Sequence, residues 1–344
     1  MSAFLQVRDL HVQFPTEDGV VRAVDGVSFD LERGRTLAIV GESGSGKSVT
    51  AQAIMGLLNR SVAKVTGSIL LDGADLVPMD DDEIRLLRGK QMSMVFQDPM
   101  SSLHPYYRVG DQLVEAVRVH QQVSKQQARQ QAIDMLARVG IPAPQRRIDD
   151  FPHQLSGGMR QRVMIAMGLI NDPELLIADE PTTALDATVQ AQILELIARL
   201  SAELDTAVIL ITHDLGIVAN VADDVAVMYG GRVVEQADVR TLYARPQMPY
   251  TLGLLSSVPR LDRTRTDRLE AIPGTPPSLI RLPAGCVFHP RCTYRDLVPD
   301  GRCAGQRPDL LEAGAEPGHL VRCHLPAPQR AAIATEVLAR IEAR

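Results

Sequence analysis

With 344 residues, 45% of them hydrophobic and 23% charged, the chain is long enough for one large α/β domain with an appendage, or for two medium domains. A formal charge of −6 argues against a nucleic-acid-coating protein, which needs a basic surface. Aromatic residues make up 3% of the chain, with no Trp, so the core falls to Ala, Val, Leu and Ile. The opening MSAFLQVRDLHVQF lacks the basic-then-apolar layout of a secretion signal. No apolar run approaches the roughly 18 residues that cross a bilayer. The expectation is a chain in solution, or one held at a membrane through a partner.

Residues 4–14 alternate through Leu5, Val7, Leu10, Val12 and Phe14, which predicts a strand. A turn at Gly19, a second strand over Ala23–Leu31 and a short buried strand over Thr36–Val40 follow. Lys47–Leu58 reads as a helix. Between 110 and 140, Ala128, Ala132, Met135, Leu136 and Val139 recur at helical spacing and Gly140 supplies a stop, so a helical insertion is expected. Leu175–Ala178 and Ala207–Thr212 read as buried strands flanking an amphipathic helix over 187–204, and Asp223–Val234 as a hairpin turning at Gly230-Gly231. Composition changes near 245. Residues 246–328 hold most of the prolines and all four cysteines, and Ala331–Arg344 has the spacing of a terminal helix.

Gly41-Glu42-Ser43-Gly44-Ser45-Gly46-Lys47-Ser48 fits the phosphate loop G-x-x-x-x-G-K-[ST], placed between an apolar strand and a helix. Glycines let successive backbone N–H groups turn inward around an anion, and the helix N-terminus adds partial positive charge. Lys47 would reach the β- and γ-phosphates of ATP, and Ser48 would ligand Mg²⁺. Leu175–Glu180 ends a strand in two carboxylates, Asp179 to orient Mg²⁺ and Glu180 to polarise an attacking water. Leu155-Ser156-Gly157-Gly158-Met159-Arg160-Gln161-Arg162 opens a helix with a second potential anion nest, which implies a second ligand or a site completed across an interface.

These segments resemble the ABC ATPase family, whose LSGGQ signature has Met159 at its fifth position here. The resemblance implies an α/β fold: a P-loop ABC ATPase core of mixed sheet and helices over residues 1–245, with a helical subdomain inserted at about 100–170. It implies that Ser156, Gly157 and Gly158 act in trans on the ATP of a second subunit. Val95-Phe96-Gln97-Asp98 resembles the Q-loop, placing Gln97 near Mg²⁺ and the water. Ala184-Leu185-Asp186 resembles the D-loop, and Ile211-Thr212-His213-Asp214 the switch, with His213 on the γ-phosphate. Phe14 falls where the family stacks adenine, although alternation alone would bury it.

A narrower resemblance is to dipeptide and oligopeptide importer ATPases. It rests on Glu42-Ser43, Phe96-Gln97-Asp98-Pro99, Ser101-Ser102-Leu103, Pro181-Thr182-Thr183-Ala184-Leu185-Asp186 and Pro249-Tyr250-Thr251, where Met248 replaces the family's His. It implies a subunit held at the cytoplasmic face of the plasma membrane through permease subunits, where ATP hydrolysis is coupled to peptide uptake. The implied partners are a second, different ABC ATPase, two transmembrane permease subunits docked on the insertion, and an extracytoplasmic peptide-binding protein, with no nucleic acid. Nickel, glutathione or another small solute are alternative cargoes. A soluble ABC ATPase acting on nucleic acid or in translation is a different class, disfavoured by the single cassette and the acidic balance. Residues 246–344 form the implied Cys-rich extension. Cys286-Val-Phe-His-Pro-Arg-Cys292 and the ending at Cys323 resemble the importer tail, with a longer gap before Cys303. Three readings compete: a [4Fe–4S] cluster on Cys286, Cys292, Cys303 and Cys323, expected away from the ATP; structural zinc, against which the absence of C-x₂₋₄-C pairs speaks; and four free buried thiols.

Overall fold

The computed structural model describes residues 3–98, 102–182, 186–258, 272–314 and 317–343. The strands in chain order are β1 (Leu5–Thr16), β2 (Gly19–Leu31), β3 (Thr36–Val40), β4 (Lys64–Leu71), β5 (Ala74–Asp75) and β6 (Met92–Val95). They continue as β7 (Leu175–Asp179), β8 (Ala207–Thr212), β9 (Asp224–Tyr229), β10 (Arg232–Asp238), β11 (Leu311–Glu312) and β12 (Leu320–Val321). The helices that position the site are α1 (Lys47–Ile54), α2 (Val109–His120), α3 (Lys125–Arg138), α4 (Gly157–Leu169), α5 (Ala187–Leu204), α6 (Pro249–Ser256) and α7 (Ala327–Ala343).

Two compact units divide these elements. The first contains residues 78–211 and two short N-terminal pieces. In it β6, β7 and β8 pair in parallel. Every residue of β6 and β7 is buried, which is why these strands read as unbroken apolar runs rather than alternating ones. The insertion expected over 110–140 is two helices. Helical continuity breaks over residues 121–124, and the Ser124 hydroxyl caps α3 by accepting from the Gln127 amide at 3.2 Å while the Gln127 side chain accepts from the Ser124 amide at 3.0 Å. α2 and α3 bury Leu113, Val114 and Val117 and Ala128, Ala132, Met135 and Leu136 respectively.

The second unit holds the remaining N-terminal strands and everything after Ile211. Its first sheet runs β2-β1-β4-β5. A bulge between Arg8 and His11 shifts the register of β1 against β4, so the buried phase moves from Leu5 and Val7 to Leu10 and Val12. A second sheet runs β11-β12-β10-β9-β3, with β3 parallel to β9 and the others antiparallel. The cysteine-bearing segment does not stand apart from this unit. Cys286, Val287, Phe288, Cys303 and Val321 share one core with Ala38, Val40, Val225, Val227 and Tyr229. Each fully buried aliphatic side chain there contributes roughly 1.5–3 kcal/mol.

Two buried polar ties run through this unit. Fully buried Glu235 of β10 accepts from the Gln247 and Met248 amides at 2.5 and 3.1 Å and meets His319 Nε2 at 2.8 Å. Arg232 donates to Asp25 Oδ2 through Nε and Nη2 at 2.9 and 2.6 Å. Burial pushes the Asp25 carboxyl up, but the Arg232 bonds and charge win and hold it below the usual carboxylate range. α1 ends at Ile54, a turn earlier than the sequence pattern suggests, and α7 spans the expected terminal helix. Among the described residues no helix is long and apolar enough to cross a membrane.

Candidate functional site

β3 delivers the chain into the loop 41–48, and the packing there demands glycine twice. Gly41 has φ 155° and a Cβ on it would lie 2.2 Å from the Met228 carbonyl oxygen; Gly46 has φ 101° and a Cβ would lie 2.3 Å from that of Ala23. Neither main chain can retreat, so the loop is wedged against its neighbours. Gly46 then caps α1 with no side chain to offer, at the end where a helix presents partial positive charge to an anion. Lys47, 4% exposed, donates from Nζ to the carbonyls of Gly41 and Glu42 at 2.8 and 3.1 Å. The Ser45 hydroxyl is buried without a hydrogen-bond partner among the described residues, an arrangement that costs free energy unless a ligand answers it. A helix N-terminus, an orphaned hydroxyl and an ammonium inside one loop fit the phosphates of ATP. Gly44 has no atom within 4 Å of an added Cβ. Ser43 and Ser48 occupy the same loop and helix start.

The same unit carries His213 and Phe14. His213 is exposed in the loop after β8, where Asp214 caps the next turn by accepting from the Gly216 amide at 2.7 Å. Phe14 is half-buried on β1.

The first unit carries the carboxylates. Asp179 is buried at the end of β7. Glu180 follows in the left-handed region at φ 46°, rare for a residue with a side chain and held here by its amide, which donates to the Ile211 carbonyl at 2.9 Å. Gln97 Nε2 donates to Glu180 Oε2 at 3.0 Å, so the structure brings together two residues that the sequence placed 83 positions apart. Ser156 caps α4, accepting from the Met159 amide at 3.3 Å, and Ser156 and Gly157 are exposed at the helix start. Asp186 caps α5. Pro99, Ser101, Thr183, Ala184 and Leu185 lie outside the described residues.

The four cysteines are free and belong to one core. Burial pushes the Cys286 thiol up to about 12 and that of Cys292 to about 11, with the neighbouring cysteines adding to the shift. Burial raises Cys303 and Cys323 as well. The donors have the chemistry a [4Fe–4S] cluster needs, but among the described residues no group of three or more His, Cys, Asp or Glu could hold a metal ion.

The segment they occupy also reaches the phosphate loop through a residue that is not a cysteine. Arg291, between Cys286 and Cys292, bonds Glu42 through Nη1 and Nη2 at 2.5 and 3.0 Å, and the Glu42 amide donates to the Tyr250 hydroxyl at 2.9 Å. Sequence reasoning placed Glu42 in the phosphate loop without a role of its own, Tyr250 in the importer resemblance and Arg291 in the cysteine segment, and joined none of the three. The available signal was an acidic side chain inside a loop built for phosphate, which calls for a cation from elsewhere in the chain.

A glycine-wedged phosphate loop and a carboxylate strand answered by a glutamine define an ATP-hydrolysing cassette. Solved structures agree. A dimeric ATP-binding cassette in a post-hydrolysis state with ADP and phosphate matches at TM-score 0.62 and 27% identity, over 69% of this chain and 99% of that one. The protein cbiO1 of Clostridium perfringens, part of the ABC transporter complex cbiONQ, matches at 0.60 and 31%, over 71% and 92%. The ABC transporter family model matches residues 24–183, and the oligopeptide/dipeptide transporter C-terminal region matches 234–297. The dipeptide transport ATP-binding protein DppD of Bacillus subtilis is 55% identical over 307 residues, 89% of this chain and 91% of its own. The oligopeptide transport ATP-binding protein OppD of Salmonella typhimurium is 50% identical over 325 residues, 94% of each. The chain belongs to the dipeptide/oligopeptide importer family of ABC transporter ATP-binding proteins.

Proposed function

We propose that this chain supplies the ATP hydrolysis that drives uptake of dipeptides or oligopeptides through a membrane permease. The observation that carries the reading is similarity to peptide-transport ATP-binding proteins at 50–55% identity across 89–94% of the chain, covering both the cassette and the C-terminal region. Residues 1–245 act as the nucleotide-binding domain, with the helical subdomain at about 100–170, and residues 246–344 as the Cys-rich extension.

Lys47 and the loop amides hold the β- and γ-phosphates, with His213 at the γ-phosphate and Phe14 against adenine. Ser48, Asp179 and Gln97 would hold Mg²⁺, which draws charge off the phosphates when bound. Glu180 orients and polarises the water that attacks the γ-phosphorus, breaking its bond to the ADP oxygen; the Gln97 hydrogen bond supports the aim of that carboxylate. Ser156, Gly157 and Gly158 close over the nucleotide of a second, different ATPase subunit. The exposure of Ser156 and Gly157 at a helix start supports action in trans. Tyr106 is 84% and Tyr107 57% exposed beside the inserted helices, which supports permease docking there at the cytoplasmic face of the plasma membrane. An extracytoplasmic peptide-binding protein completes the system.

The test is reconstitution of the chain with its permeases and second ATPase in proteoliposomes. ATP-dependent accumulation of a labelled tripeptide is the expected result; accumulation of nickel or glutathione instead would reassign the cargo. The four thiols are proposed to hold one [4Fe–4S] cluster, supported by four soft donors gathered in one core. Anaerobically purified protein should carry iron and sulfide, and colourless protein with zinc or no metal removes the assignment.

A further inference from the structure

We propose that Arg291 is the built-in counter-charge of the phosphate loop: by pairing with Glu42 it fixes the loop and cancels the one acidic charge among residues 41–48, so the C-terminal segment sets nucleotide affinity. The inference rests on the ATPase reading above.

A carboxylate in the second position of a loop that receives a triphosphate is an electrostatic fault unless it is neutralised, because like charges repel strongly where water is excluded. Here the neutralising group is fully committed. The Arg291 side chain is 4% exposed and that of Glu42 29%. Its two terminal nitrogens meet the two carboxylate oxygens in a fork-to-fork pair. The other donors are also taken: Nε by the Pro273 carbonyl at 2.8 Å, Nη1 by the Tyr229 hydroxyl at 3.3 Å, and Nη2 by the Ile272 carbonyl at 3.3 Å. All five guanidinium N–H groups thus have partners, which fixes the plane of the fork. The Glu42 hydrogen bonds rank first in raising the guanidinium's own basicity.

The grip continues through the backbone. Tyr250 accepts from the Glu42 amide at 2.9 Å and stands in an aromatic group in which its ring lies 4.6 Å from that of Tyr229 and 5.3 Å from that of Phe288. The Glu42 carbonyl accepts from Lys47 Nζ at 3.1 Å. The residue paired by Arg291 is therefore one of the two whose carbonyls hold the Lys47 ammonium. Arg291 acts through Glu42 and is a positioning residue.

Full-length protein and four variants, Arg291→Ala, Arg291→Lys, and each of these combined with Glu42→Gln, would be titrated with a fluorescent MgATP analogue, and hydrolysis followed in the assembled complex. Arg291→Ala should weaken binding about tenfold, as expected for losing a charged hydrogen-bonded pair. KM should rise with it, while kcat at saturating ATP stays within about twofold. Arg291→Lys should lose less. Adding Glu42→Gln to either should recover most of the affinity, because it removes the uncancelled charge. A mere structural staple predicts no such recovery, since Gln cannot restore the fork. Wild-type affinity in both Arg291 variants, or no recovery on adding Glu42→Gln, overturns the proposal whatever happens to the melting temperature. If Arg291→Ala does not fold, Arg291→Lys with and without Glu42→Gln decides between the same two outcomes. Wild-type protein that fails to bind MgATP would instead sink the ATPase reading.

Discussion

The phosphate loop and Glu180, the carboxylate proposed to act in hydrolysis, are built in opposite ways. Loop 41–48 is wedged by two glycines against main chain, and its second residue is held by a buried arginine fork and a tyrosine hydroxyl. Glu180 sits half-buried just past a strand end, in a strained backbone conformation, and its carboxylate accepts from an exposed glutamine. Rigid donors that need no rearrangement suit binding, because their ordering cost is met on folding. A carboxylate addressed by an exposed, movable side chain suits a step that must be switched on and off with the cycle. Affinity and turnover in this chain should therefore respond to different residues.

The hydrolytic side gives the strongest response. Glu180→Gln should lower hydrolysis about 10²–10⁴-fold, the usual span for losing a general base, while ATP affinity stays near wild type because the proposed phosphate contacts are those of Lys47 and the loop. Phosphate release and equilibrium binding on the same sample decide it. Weakened binding with intact turnover would erase the distinction between the two regions.

On the binding side the expected change is more modest. Ala at Gly46 meets both a left-handed backbone and a carbonyl oxygen at 2.3 Å, whereas Ala at Gly44 meets only the backbone penalty at φ 76°. Gly44→Ala should cost about 1–2 kcal/mol of stability, and Gly46→Ala measurably more, with loss of ATP binding. Urea unfolding of the two variants side by side measures the difference. Equal costs would mean that the loop is not wedged.

The thiols behind the loop should respond least. The Cys286 and Cys292 thiols are raised from 9.0 to about 12 and about 11 in the folded chain. Raised acids of this kind contribute stability that is fully present below the unfolded value near 9 and is lost as the pH climbs through 11–12. In reduced, metal-free protein the urea midpoint should therefore fall between pH 8 and pH 11, and fall less in Cys286→Ser. Identical alkaline slopes would place the titration elsewhere. In the same protein, alkylation of these cysteines at neutral pH should be slow until urea unfolds the core.

Much of this was legible in the sequence. The phosphate loop, the strand ending at Asp179 and Glu180, the signature and the switch are local patterns whose spacing is set by backbone geometry, so a single pass along the chain finds them. Strands β3 and β8 fell within the expected limits because each is one unbroken apolar run, and helix α5 because its helical spacing is unbroken. Pairing over distance came from the fold alone. The Pro-rich segment after 245 reads as too irregular to order itself without a cross-link, yet it lies on the core of β3 and β9 and adds two short strands beyond β10. The Gln97–Glu180 bond and the Arg291–Glu42 fork join residues 83 and 249 positions apart. Periodicity reports which face of an element is buried, and motifs report which atoms a loop offers. Neither encodes which distant side chain will answer a buried charge, since that depends on where the whole chain closes.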